Sequence, residues 1–218
     1  PGTFAGDLPA ASGPGVRHQL DLWPDQVFQL RHTWLGRDGS RDVVGRWHVD
    51  PTRRALVLEG GETPPPQFEI LGNGNLRLLD QQGQRIDSTL PYELARADEF
   101  APFEPTLQLR GMFLYFADAA RFTECRSGRN FPVAMEADVV ALQRAYLEAR
   151  QLPQTPVLAT VEARIAARPA GRLVPSSLAP YSSIDIDNYT TCLLSLSAPD
   201  DRTMTGGIFM GQAASPAM

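Results

Sequence analysis

What most constrains the fold of this chain is a strict two-residue alternation near its start. Val16, His18, Leu20 and Leu22 alternate with Arg17, Gln19 and Asp21, and Phe28, Leu30, His32 and Trp34 alternate with Gln29, Arg31 and Thr33. A period of two marks a strand with one dry and one wet face. Trp23, Pro24 and Asp25 supply turn chemistry, so the two strands form a hairpin. Because both bury even-numbered positions, the numbers of paired residues must sum to an even value, and the shortest permitted loop makes that sum 50. His18 is therefore expected directly opposite His32.

Short apolar runs continue at Val43 to Val49, Ala55 to Glu59, Gln67 to Leu71 and Asn75 to Asp80, separated by turn-forming segments such as GGETPPP and GNGN. No helical period appears before residue 130, so residues 1–97 read as a meander closing into a small barrel. Prolines, acids and alanines in ARADEFAPFEP mark a linker, placed at 98–105. Leu107 to Phe116, apolar on both faces, is expected to be a fully buried strand, and ECRSGRN a turn leading into Phe131 to Val133. Glu136 to Arg150 puts Val139, Leu142, Ala145, Tyr146 and Ala149 on one helical face, with Pro153 beyond it as a stop. Val157 to Ala167 reads as a strand, Pro169 to Pro180 as a loop, and Ser182 to Leu196 as a last strand around Cys192. Strands with one helix among them are the pattern of a five-stranded OB-fold, over 106–198, with 199–218 as a flexible tail. The expected class is mainly β, two small barrels in series.

Composition narrows the chemistry. All 20 basic residues are arginine, which excludes mechanisms built on a lysine amine. A net charge of -5 does not suit nucleic acid, and no run of 18 apolar residues is present. Neither Gly-x-Ser-x-Gly nor His-Glu-x-x-His occurs, and the expectation is a binding protein rather than an enzyme. Cys125 and Cys192 suit one bridge in an oxidising compartment or two separate buried thiols. A chain headed by Pro1 is expected to have lost an upstream segment.

The strings LQLRGMFLYFADAARFTECRSGRNFPV, from Leu107, and LQRAYLEARQLPQTPVLATVEARI, from Leu142, resemble the C-terminal domain of NlpE-like envelope lipoproteins. FAGDLP at Phe4 to Pro9, GRW at Gly45 to Trp47 and NLRLLDQQGQRI at Asn75 to Ile86 are similar to that family's first domain. The resemblance implies a lipocalin-like N-terminal barrel followed by an OB-fold. It further implies an outer-membrane lipoprotein on the periplasmic face, or exposed at the surface, with a lipid anchor upstream of Pro1. Family members are linked to copper tolerance and to activating the sensor kinase of the Cpx envelope-stress system. A disulfide between Cys125 and Cys192 is implied as well. One departure stands out: the family's Cys-x-x-Cys follows Leu-Pro, whereas Ala10 and Gly13 occupy those positions here, and neither can bind copper.

Other candidates come from the residues themselves. His18 and His32 form a possible metal pair that needs a third ligand, and His48 is expected to point away from it. Met204, Met210 and Met218 are conceivable soft ligands in the tail, and Asp185 and Asp187 a conceivable acid pair. No cofactor is expected, with copper the one candidate. Two competing functions remain: a carrier holding an apolar ligand or lipid among Phe28, Trp34, Trp47 and Phe68, and a structural envelope protein.

Overall fold

The computed structural model describes residues 1–166 and the backbone of a strand at 177–186. Eight strands close an up-and-down barrel: β1 (Gly2–Leu8), β2 (Val16–Leu22), β3 (Val27–Trp34), β4 (Ser40–Asp50), β5 (Ala55–Glu59), β6 (Gln67–Ile70), β7 (Leu76–Leu78) and β8 (Glu93–Arg96). Each strand pairs with the next, and β8 returns to β1 through Phe4↔Arg96 and Ala5↔Ala95. Ala95 and Arg96 thus close the barrel, although the linker-like composition begins at Ala95. Closure leaves no free edge to template aggregation. The β2–β3 register is the one the alternation requires, with Leu20↔Leu30 and His18↔His32 paired.

The interior is filled by Leu20, Leu30, Phe28, Leu58, Phe68 and Leu94 among others, all at most 2% exposed. Gly45 makes room for this filling: a Cβ there would lie 2.7 Å from the Phe28 ring and 2.1 Å from the Glu59 carbonyl oxygen. Only a residue without a side chain lets the large ring and the neighbouring strand approach so closely.

The second domain is a five-stranded sheet ordered β11-β10-β9-β12-β13, with α1 (Val139–Ala149) between β11 and β12 in sequence. Its strands are β9 (Thr106–Phe116), β10 (Ala119–Glu124), β11 (Asn130–Pro132), β12 (Val157–Ala166) and β13 (Ser177–Ile186). Strand β9 is half-buried rather than sealed on both faces, since Leu109, Gly111 and Phe113 point inward while Gln108 and Arg110 are exposed. Its hairpin to β10 turns on Ala117 and Asp118, both with positive φ (49° and 59°), the geometry whose twist matches a two-residue connection. No glycine or asparagine announces that turn, and β10 is therefore inconspicuous in the sequence. The helix begins three residues later than its amphipathic pattern, at Val139, and buries Val139, Leu142 and Tyr146. Strand β13 starts at Ser177, inside the stretch that reads as loop, and the continuation to Leu196 lies outside the described residues.

The two domains share a core. Val27 and Val44, on the outer wall of the first barrel, join Leu109, Phe113, Phe131 and Tyr146 in one apolar cluster, with Trp23 packed against it. The 98–105 segment is tied down along the same wall. Ala101 N–H donates to Thr3 Oγ1 (3.1 Å), Phe103 N–H to Asp21 Oδ2 (3.1 Å), and Thr106 N–H, just past it, to Asp42 Oδ2 (2.8 Å).

Candidate functional site at the barrel mouth

The loops 9–15 and 35–39 project from one end of the first barrel, beside a cleft of about 320 Å³. Ser12, Pro14, Val16, Trp34, Leu35 and Arg37 contribute to its lining, with the Arg37 guanidinium 4.7 Å from the Trp34 ring centroid. Ala10 and Gly13 line it too, and neither brings a side-chain donor atom to the mouth. A Cβ on Gly13 would meet nothing within 4 Å, although its φ of +91° disfavours other residues.

The next pair below Val16↔Trp34 on the same face is the histidine pair. The register runs Gly6↔His18↔His32↔Arg41 across four strands, which puts two imidazoles and a guanidinium in a row. The rings meet edge to face with centroids 4.4 Å apart. His18 Nδ1 is 3.0 Å from the Val16 carbonyl oxygen, and that contact makes Nδ1 the protonated nitrogen. His32 Nδ1 lies 3.6 Å from Glu62 Oε1, and the same oxygen is 3.9 Å from Arg41. Burial above all, then the facing His32, pushes His18 down to about 4. Burial and the Arg41 charge push His32 to about 4 as well. Both rings are therefore neutral at pH 7. His48 is exposed on β4, 3.8 Å from Glu59, and does not join them. Among the described residues no three His, Cys, Asp or Glu side chains converge on one point.

The aromatic residues considered as a ligand lining occupy different places. Phe28 and Phe68, each 1% exposed, are part of the core, and Trp47 packs on that core with its Nε1 donating to the Trp23 carbonyl (3.0 Å). Only Trp34 lines the mouth cleft. Cys125 is disulfide-bonded, and it follows Glu124, whose buried carboxylate accepts from Arg126 N–H, Ser127 N–H and the Ser127 hydroxyl. Cys192, the methionines of the tail and Asp187 lie outside the described residues, as do the side-chain surroundings of Asp185.

Two groups escape the sequence pattern. On the outer wall, Thr3↔Asp21↔Gln29↔Val44 form a second row, all at most 5% exposed, although Asp21 and Gln29 fall on the nominally wet face. Burial raises the Asp21 carboxyl above its ordinary range, against the pull of Thr3 and Phe103, which donate to it. Nearby, Arg129 spans the domain boundary, 4.7 Å from the Trp23 ring centroid and 3.3 Å from Asp25 Oδ2. Arg46 Nη1 donates to the Ser127 carbonyl across the same boundary (2.9 Å).

Comparison with known proteins meets this architecture at both domains. The NlpE N-terminal domain profile matches residues 4–89, and the NlpE C-terminal OB domain profile matches 103–192. The lipoprotein NlpE of Escherichia coli K12 is 35% identical over 165 residues, 74% of this chain and 67% of that protein. The crystal structure of the E. coli Cpx pathway activator NlpE is matched at 32% identity, over 88% of this chain and 98% of that one, with a TM-score of 0.39. A Shewanella oneidensis lipoprotein structure is matched at 30% identity over 45% of this chain and 90% of its own, with a TM-score of 0.40.

Proposed function

The chain belongs to the NlpE lipoprotein family, and on that footing we propose that it is a periplasm-facing outer-membrane lipoprotein that activates a Cpx-like envelope-stress pathway. The observation that carries the reading is the presence of both NlpE domains, in order, in a chain 35% identical to the E. coli protein. The E. coli NlpE whose crystal structure is known is described as the Cpx pathway activator. In this reading the partner is the periplasmic part of an inner-membrane sensor kinase, and a lipid anchor holds the protein at the membrane. No copper role is assigned to the first loop, because Ala10 and Gly13 have no side-chain donor.

We further assign the bridge at Cys125 to Cys192, the other cysteine of the chain. Mass spectrometry of the unreduced protein should find the peptides of the two cysteines linked.

The signalling reading is tested by expressing the lipidated protein in cells that lack their own NlpE and carry a Cpx-dependent reporter. Reporter output should rise several-fold and should fall to background when the sensor kinase is deleted. An output that stays flat, or that rises equally without the kinase, overturns the reading.

A further inference from the structure

We propose that the His18–His32 pair is an acid-operated element, in which protonation of the two imidazoles drives the mouth-side ends of β2 and β3 apart and opens the cleft beside Trp34. The geometry dictates both the repulsion and where it is relieved.

Repulsion follows from the shortage of counter-charge. Since the His18 Nδ1 proton is committed to the Val16 carbonyl, a second proton on that ring goes to Nε2, with the His32 ring centroid only 4.4 Å from its own. The charged groups around the pair come from three neighbouring segments. On β1, Asp7 is bound by Arg17 at 2.7 Å. On β4, Asp42 is bound by Arg31 at 2.7 Å, and Arg41 adds a positive charge beside His32. In the β5–β6 connection, the Glu62 oxygen near His32 is shared with Arg41. One shared carboxylate cannot neutralise two imidazolium rings and a guanidinium. In a half-buried site, like charges this close repel strongly.

Relief is possible in one direction. Below the pair, the Leu20↔Leu30 rung is at most 2% exposed and locked in the barrel core. Above it, the Val16↔Trp34 rung is half-buried and borders the cleft, and the Leu35 N–H to Gly15 carbonyl bond (3.0 Å) ties the two mouth loops together. The low values near 4 for both rings agree with a pair that resists charging while the rung stays closed.

Two measurements on the purified protein test this without a partner, so they fail independently of the signalling reading. Imidazole NMR of the unaltered chain should show both rings of the pair titrating below about pH 5. Amide exchange, corrected for intrinsic rates, should show the Leu35 bond opening more often by up to about tenfold per pH unit for each imidazole, between about pH 6.5 and 4. The Leu22↔Phe28 rung at the far end should not change with it. His18→Gln with His32→Gln should abolish the slope, and His32→Gln alone should reduce it to at most one proton. Rings that titrate near 6.5, an unchanged slope in the double variant, or the Leu22↔Phe28 rung opening in step overturn the proposal.

Discussion

Two cross-strand rows of one barrel bury ionisable groups of opposite kind, a carboxyl in one and imidazoles in the other. On the outer wall, Thr3↔Asp21↔Gln29↔Val44 lies under the linker and the second domain, and the Asp21 carboxylate receives a hydroxyl and a backbone N–H. On the inner side, Gly6↔His18↔His32↔Arg41 brings basic groups together with one shared carboxylate nearby. The same strands and the same register build both rows, and in both burial is the largest influence and disfavours the charged form. The responses to acid are opposite because protonation neutralises a carboxylate and charges an imidazole. The Asp21 carboxyl, raised above 3.8, contributes stability that is complete below about pH 3.8 and lost as the pH rises through its folded value. The histidines, lowered from 6.5 to about 4, favour unfolding increasingly as the pH falls from about 6.5 to 4. Acid tightens the docked wall and loosens the mouth.

Disrupting the outer row should have the largest effect. Val44→Asp would bury a carboxylate in the shared core, and we expect a loss of about 3–5 kcal/mol in urea denaturation, with the domains separating in small-angle scattering. A variant of unchanged stability would mean that the domains do not share that core. Arg129→Ala removes the contact with Trp23 and the ion pair with Asp25, and should cost about 1–2 kcal/mol while increasing the radius of gyration.

The contrast in acid response can be sharpened with Asp21→Asn. In the unaltered protein, exchange of the Phe103 amide should slow, relative to its intrinsic rate, as the pH is lowered towards 4. The variant should lose that dependence and keep the opposite one at Leu35. If both amides keep their slopes, Asp21 is not the group that titrates in the outer row.

The smallest expected change is at the mouth loop. Ala10→Cys with Gly13→Cys should cost about 1 kcal/mol, mainly because Gly13 has a φ of +91°, and should create a thiol pair that retains Cu(I) or Zn(II) on desalting. Retention no greater than in the parent would show that the loop cannot bring the two positions together.

Parity and loop length are enough to pair His18 with His32, and an apolar run alone is enough to mark β5. Strand β10 is hidden because its turn is Ala-Asp, and β8 because two strand residues sit in linker-like composition. The Arg129 clamp is hidden for another reason: an arginine in a polar turn looks solvated until Trp23 and Asp25 arrive from about a hundred residues away.

The sequence by itself determined the pairing of His18 with His32 and the absence of side-chain donors at Ala10 and Gly13. Alternation and turn length act over a dozen residues, and a missing side chain needs no neighbours to be missing. Only the tertiary structure decided the outer row. Asp21 alternates like any wet position, and it is sealed because Phe103, 82 residues further along the chain, donates to it. Which face of a strand is dry depends on what packs against it, and here that is the linker and a second domain that the local pattern of the strand does not encode.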